Sequence, residues 1–125
     1  MREIKFRAQD IASNKWLFGD LRHHKDDVWI FDQGGTKGEQ VKRETVGQFT
    51  GLRDINGKDI YEGDILDVYY ADEESYLEVR FVRGVFAFLW NGDLDDEFPC
   101  NAPTHEWAKV IGNIYDNPEL LNKEE

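Results

Sequence analysis

The sequence predicts a mainly β fold with some α+β character: a small barrel or sandwich of antiparallel strands with a short C-terminal helical turn. Three observations predict it. Apolar and polar residues alternate over short runs. Turn residues separate those runs at close intervals, giving about nine strands. Aromatic content is 14%, with Trp16, Trp29, Trp90 and Trp107 spread along the chain, so there are enough large apolar side chains to offset the entropy of ordering. At 125 residues the prior is one domain, 1–125, with sub-halves 1–51 and 52–125 left open.

The elements follow in order. Ile4, Phe6 and Ala8 share one side of a first strand, with Glu3, Lys5 and Arg7 on the other. Asp10 to Asn14 reads as a turn, and Trp16-Leu17-Phe18 opens a second strand. Val28 to Phe31 is apolar on both faces, which predicts a strand buried on both. Gly34-Gly35 and Gly38 mark a break, and Val41 to Thr50 holds a further strand or two. Asn56-Gly57 predicts a type I′ turn at a loop tip.

In the second half, Leu66, Val68 and Tyr70 line one face of the strand after Gly63-Asp64. Beyond the acidic break Asp72 to Ser75, Leu77, Val79 and Phe81 are expected inward, with Glu78 and Arg80 outward. Arg83-Gly84 is the next turn, and Val85 to Trp90 is the expected central strand of this half. An acidic loop from Asn91 to Glu97 and an irregular stretch around Pro99 and Pro103 lead to a last strand, Trp107 to Tyr115. Asn117-Pro118-Glu119 reads as an N-cap, a proline at N1 and an acidic first turn.

Charge is unevenly placed. Up to Gly51 there are 9 Lys/Arg against 8 Asp/Glu; from Leu52 onward 6 against 18, which together make the net −11. Such a surface repels phosphate backbones and lacks a basic stripe, so no direct nucleic-acid binding is expected. No run reaches the roughly 20 apolar residues of a membrane helix. The N-terminus has no signal-peptide h-region, and the lone Cys100 excludes an internal disulfide and a cysteine-based zinc site. The expected location is a cytoplasm.

Three blocks carry a resemblance. Ile4-Lys5-Phe6-Arg7-Ala8 opens the chain; Gly47 to Leu52 continues through Asn56-Gly57-Lys58 to Ile60-Tyr61-Glu62-Gly63-Asp64-Ile65; and Val110 to Tyr115 runs into Asn117-Pro118-Glu119-Leu120-Leu121. In this order and spacing the chain resembles the YopX family, small proteins encoded by bacteriophages and prophages. One departure is Gln9, where the resemblance implies a tryptophan before Asp10. The resemblance implies a β-rich, barrel-like architecture and a bacterial host cytoplasm. It supplies no catalytic, cofactor or metal residue.

The residues themselves offer only weak candidates for chemistry. Glu62 and Asp64 flank Gly63 and could act as an acid/base pair, but turn chemistry accounts for them better. His23 and His24 point to opposite faces of a strand and make a poor chelating pair. Cys100 and His105, near Asp96 and Glu106, lack a further ligand at a standard spacing. Gly34-Gly35-Thr36-Lys37-Gly38 lacks the spacing of a phosphate loop, and Asp93 to Glu97 lacks that of an EF-hand. The expectation is therefore no catalytic, cofactor-binding or metal residue. The leading function is a non-enzymatic accessory protein, self-associating, that binds an unidentified host or phage protein. The alternatives are an acidic mimic of nucleic acid that blocks a host DNA-binding protein, and a hydrolase using Glu62, Asp64 and His105. The aromatics Trp16, Trp29, Phe86, Phe88, Trp90 and Trp107 are expected mostly in the core, with some at an interface.

Overall fold

A computed structural model describes residues 3–32, 34–70, 73–99 and 103–121. The expected β fold is found: among these residues there are eleven strands, with helical structure confined to 3-10 turns. The chain divides into two compact units, Met1–Phe49 and Thr50–Glu125.

The first unit is built from β1 (Phe6–Gln9), β2 (Trp16–His24), β3 (Asp27–Phe31), β4 (Gly38–Val41) and the start of β5 (Gly47–Arg53). Its hydrogen-bonded order is β4-β3-β2-β1-β5, antiparallel throughout. Alternation sends Ala8, Val28, Ile30 and Val41 to one face, where Phe6, Leu17, Leu21 and Val46 pack around them. A 3-10 turn at Arg43–Thr45 is held by the Thr45 hydroxyl, which accepts the Gln9 N–H at 2.9 Å and donates to the Lys42 carbonyl at 2.7 Å. Ile4 lies before the strand and is 56% exposed, so it does not join Phe6 and Ala8 inside. Arg7, expected outward, is buried, with its guanidinium 4.8 Å from the Trp16 ring centroid. Val28 and Ile30 are buried while Trp29 and Phe31 are half-buried, so β3 buries one face fully and the other partly.

The barrel expectation needs correction, because both sheets are open. In the first unit, β4 meets the segment after β1 through one bridge, Asp10 with Val41, and bonds from Ile11 N–H to Gln40 O and Lys42 N–H to Gln9 O. The ladder stops there, since the Asp10 carboxylate accepts the Ala12 and Ser13 N–H groups and bends the chain into its turn. Those two N–H groups hold the Asp10 carboxyl below the usual carboxylate range.

The second unit holds β6 (Asp59–Tyr61), beside the end of β5, and a sheet ordered β10-β9-β8-β7-β11. These are β7 (Asp64–Tyr70), β8 (Glu73–Val82), β9 (Val85–Trp90), β10 (Glu97–Pro99) and β11 (Lys109–Asn113). One face carries the core: Leu66, Val68, Leu77, Val79 and Phe88 pack with Ile60 and Ala108. The Phe88 ring meets Trp107 edge-on at 5.8 Å. β8, not β9, is the middle strand. Phe81 runs beyond the core and is 49% exposed, stacked edge-on against Phe86 at 5.1 Å.

The opposite face is covered too, since Ile65, Leu89 and Ala87 are buried. Glu78 lies among them at 2% exposure, against the outward placement that alternation predicts. Alternation assumes one wet face, and here the chain after β11 returns over it: Leu121 lies beside Gly92, and Ile114 N–H bonds Gly63 O. The expected Tyr70 orientation, the break at Asp72 and the Cys100 thiol lie outside the described side chains. One edge of the sheet is protected by its shortness. β10 has three residues and ends in Pro99, which has no N–H to offer a neighbour.

Candidate functional site

The turn between β5 and β6 is organised by one carboxylate. Asp54 is 2% exposed, and its Oδ1 accepts the N–H groups of Asn56 (2.9 Å) and Lys58 (2.8 Å). Gly57 N–H bonds Asp54 O and Asp54 N–H bonds Lys58 O, closing a three-residue loop. Gly57 has φ +81° while Asn56 does not have positive φ, so this is a turn ending in a left-handed glycine. The predicted type I′ turn is absent here. Positive φ at two successive residues occurs instead at Arg83 (49°) and Gly84 (86°), between β8 and β9, and at Asn91 (51°) and Gly92 (78°), after β9.

Asp54 also reaches across the unit. Its Oδ2 accepts the Val110 N–H at 2.9 Å, and Ile55 N–H bonds Ala108 O. The outer edge of β11 is thereby occupied. Burial pushes the Asp54 carboxyl up, but the N–H groups of Val110, Lys58 and Asn56 outweigh it and hold it below the usual range.

The Tyr61-Glu62-Gly63-Asp64 turn joins the same assembly. Asp64 is buried and its Oδ2 accepts the Tyr61 N–H at 2.7 Å, the turn-capping role that the residue pattern predicts. Gly63 N–H bonds Val79 O while Gly63 O accepts Ile114 N–H, so two sequence blocks about fifty residues apart are stitched to β8. Asn113 then fixes the segment after β11: its Oδ1 accepts the N–H groups of Tyr115 and Asp116. Asn117 caps nothing in the 3-10 turn Pro118–Leu120; its Oδ1 accepts the Asn113 N–H at 3.2 Å instead. That corrects the N-cap expectation, because the nearer bare donor lies behind the turn. A Cβ at Gly112 would come within 2.4 Å of that Asn117 oxygen, so only glycine fits.

Beside this convergence lies a half-open pocket of about 160 Å³. Glu62, Glu78, Arg80 and Tyr115 supply its polar lining, and Gly63, Val79 and Ile114 complete it. Arg80 pairs with Glu78 through Nε and Nη2, both to Oε2, at 2.8 and 2.7 Å. Among the sequence-stated candidates, Glu62 lines this cavity. His105 does not: it is exposed on the 3-10 turn Thr104–Glu106, 3.7 Å from Glu106. The hydrolase trio is therefore not brought together.

The other candidates are turns and surface. His23 and His24 are exposed on β2. The Gly34–Gly38 loop offers the N–H groups of Thr36 and Lys37, but the Asp32 carboxylate already occupies both. In the acidic loop, Asp93 Oδ1 accepts the Asp95 N–H. Among the described residues, no three His, Cys, Asp or Glu side chains are grouped to hold a metal ion. A wider, open hollow of about 320 Å³ in the first unit mixes Asp26, Asp27 and Glu44 with Lys42 and Arg43.

One surface was not singled out by sequence reasoning. On the face of the first sheet opposite its core, register places Trp16, Phe18 and Arg22 of β2 beside Trp29 and Phe31 of β3 and Arg7 of β1. Arg7 lies over Trp16 at 4.8 Å and Arg22 over Phe31 at 4.1 Å. Phe18 is 55% exposed, while Trp16, Trp29 and Phe31 are half-buried. The available signal was the alternation Trp16, Phe18 and Trp29, Phe31, which marks both pairs as facing away from Leu17 and Ile30.

The family model described as YopX protein matches residues 5–122, nearly the whole chain. The chain belongs to the YopX family. Among solved structures, it is similar to the crystal structure of protein EF1440 from Enterococcus faecalis. The two are 27% identical, with a TM-score of 0.58, covering 97% of this chain and 99% of that one. A search of the curated proteins finds no match. Two of the three blocks that carry the family resemblance build the Asp54 turn, the Gly63 junction and the segment after β11, and the opening block forms β1. Among the described residues, no helix is long and apolar enough to cross a membrane.

Proposed function

We propose that this YopX-family chain is a non-enzymatic phage or prophage accessory protein that binds a host or phage protein in the bacterial cytoplasm. The observation that supports it is the aromatic–arginine face of the first unit. Tryptophan, other aromatics and arginine are the residues enriched at protein interfaces and their hot spots. Here Phe18 offers exposed ring area and the exposed Arg22 is held over the Phe31 ring, which pre-sets its geometry, while Arg7 is buried against Trp16 and supports the face without being offered to a partner. Rigid rings and positioned guanidinia bind with little ordering cost.

The test is affinity capture from infected host cells with mass spectrometry, comparing wild type with Phe18→Ala and Arg22→Ala. A protein retained by wild type and lost from both variants is the expected result. Identical retention by all three would remove the face. Self-association is the second part of the reading: light scattering at micromolar concentration should give more than one chain mass, and a monomer would remove that part. The acidic-mimic reading rests on the 18 Asp/Glu against 6 Lys/Arg from Leu52 onward. It requires retention that falls steeply with salt, so salt-insensitive retention excludes it.

A further inference from the structure

We propose that β2 takes up an added β-strand along its free edge, from Asp20 to His24, and that this strand is an extended acidic segment of a partner protein. This rests on the reading above, that the first unit binds a protein, and names the form the partner takes there. β1 leaves β2 at the Phe6–Gly19 pair, while β2 runs on to His24 with β3 alone paired to it among the described residues. The backbone directions along that stretch follow from register. Lys5 O accepts the Phe49 N–H, so the odd residues of β1 turn their backbone groups toward β5 and the even ones toward β2. Phe6 and Ala8 therefore bond Gly19 and Leu17, and Asp10 N–H continues the same register to Lys15 O. In β2 the odd residues thus turn their groups to the β1 side. The even residues Asp20, Arg22 and His24 bond β3, opposite Phe31, Trp29 and Asp27. Past the end of β1, Leu21 and His23 are left with N–H and C=O pointing outward. Among the described residues, no hydrogen bond reaches those groups.

Such an edge is a template for main-chain pairing with another chain. Edges are commonly blunted by proline or a bulge, but Asp20 to His24 has no proline and keeps unbroken register with β3. Charge is the other common shield, yet the Arg22 guanidinium is folded over the Phe31 ring, 4.1 Å from its centroid. Arg22 also sets the partner's chemistry. It is exposed, and among the described residues no carboxylate pairs with it. An antiparallel strand bonded to Leu21 and His23 sets one residue directly opposite Arg22 in a non-hydrogen-bonded pair, where side chains approach closest. Opposite charges stabilise such a pair, so that residue is Asp or Glu. Asp20 is exposed on the same face, so the partner residue opposite it is uncharged or basic. A second copy of this chain is the wrong occupant. The register in which both copies use Leu21 and His23 sets Arg22 against Arg22, and like charges directly opposite destabilise a sheet.

The experiment titrates the ¹⁵N-labelled full chain with acetyl-Thr-Val-Glu-Val-Thr amide, whose valines oppose Leu21 and His23 and whose glutamate opposes Arg22. The controls are the same peptide N-methylated at both valines and the same peptide with lysine for glutamate. The expected result is saturable shifts of the Leu21 and His23 amides with the parent peptide, and slowed exchange of both. The N-methylated peptide should give neither. The lysine peptide should bind about threefold more weakly, the size of one exposed cross-strand charge pair. His23→Pro removes an outward N–H that the ladder with β3 does not use, and should weaken the parent peptide about fivefold, the size of one hydrogen bond. The same spectra report whether that variant is folded, and the N-methylated control needs no variant. Arg22→Glu should reverse the preference between the glutamate and lysine peptides. Equal shifts with the N-methylated peptide, no saturation, parent-like binding by folded His23→Pro, or a preference that Arg22→Glu leaves unchanged would overturn the inference. The two readings fail separately. Capture that still depends on Phe18 keeps the aromatic–arginine face when strand addition fails; peptide binding at wild-type strength by Phe18→Ala keeps the edge when the face fails.

Discussion

Replacing Asp54 by alanine strips three backbone N–H groups of their acceptor at once. The Val110 bond joins β11 to the β5–β6 turn across 56 residues, and its donor is partly buried. A hydrogen bond to a charged group contributes about 1.5–3 kcal/mol. Asn56 and Lys58 are exposed residues whose N–H groups water can reach once the carboxylate is gone, so each is assigned about 0.5 kcal/mol, the low end for a net hydrogen bond. The sum is about 3 kcal/mol, a large part of the ~5–15 kcal/mol that holds a typical domain together. With a urea m-value of about 2 kcal/mol/M, the midpoint should fall by about 1.5 M. Hydrogen exchange should show the Val110 amide losing protection. The pH dependence has a defined sign. The folded Asp54 pKa is depressed, so its stabilisation is present above the unfolded value near 3.9 and is lost as pH falls through the folded value. The gap between wild type and Asp54→Asn should therefore close below about pH 4. A loss under about 1 kcal/mol at pH 7, or a gap that does not change with pH, would refute the reasoning.

Three further outcomes follow from packing. Phe88→Ala empties a fully buried site beside Trp107 and should cost about 3–5 kcal/mol by urea unfolding. Gly112→Ala drives a methyl group against Asn117 and should cost about 1–3 kcal/mol; restoring it by Asn117→Gly in the double variant identifies the clash as the cause. Arg80→Met leaves the Glu78 carboxylate buried without its partner. Because Arg80 is 38% exposed, water screens the pair, and about 1–2 kcal/mol is expected in place of the 3–5 of a fully buried pair.

Much of the fold was legible in local pattern. The strands around Phe6–Ala8, Val28–Ile30 and Leu77–Val79 follow from period-two alternation, and the Asp10 and Gly63-Asp64 turns from residues that accept nearby N–H groups. What could not be read depends on distant chain. Glu78 looks like a solvent-facing residue until the segment after β11 covers its face. Asp54 reads as part of an Asn-Gly turn, yet its second oxygen serves a strand that no local pattern connects to it. Asn117 has the sequence of an N-cap but finds a competing donor at Asn113. The barrel failed as an expectation for a related reason. Strand count alone does not reveal that β4 and β1 share a single bridge before the chain turns away. The candidate surfaces were half legible: Glu62 was named from its neighbours, whereas the arginines over Trp16 and Phe31 required the register of three strands.

The central claim is that this YopX-family chain works by presenting a surface to another protein, and the aromatic–arginine face is where that claim is exposed. The most direct measurement is the equilibrium affinity of a captured partner for wild type and for Phe18→Ala, with folding verified by urea unfolding. A hot-spot aromatic predicts a loss of about 2 kcal/mol, roughly thirtyfold in Kd, with unfolding unchanged. An unchanged Kd would contradict the account.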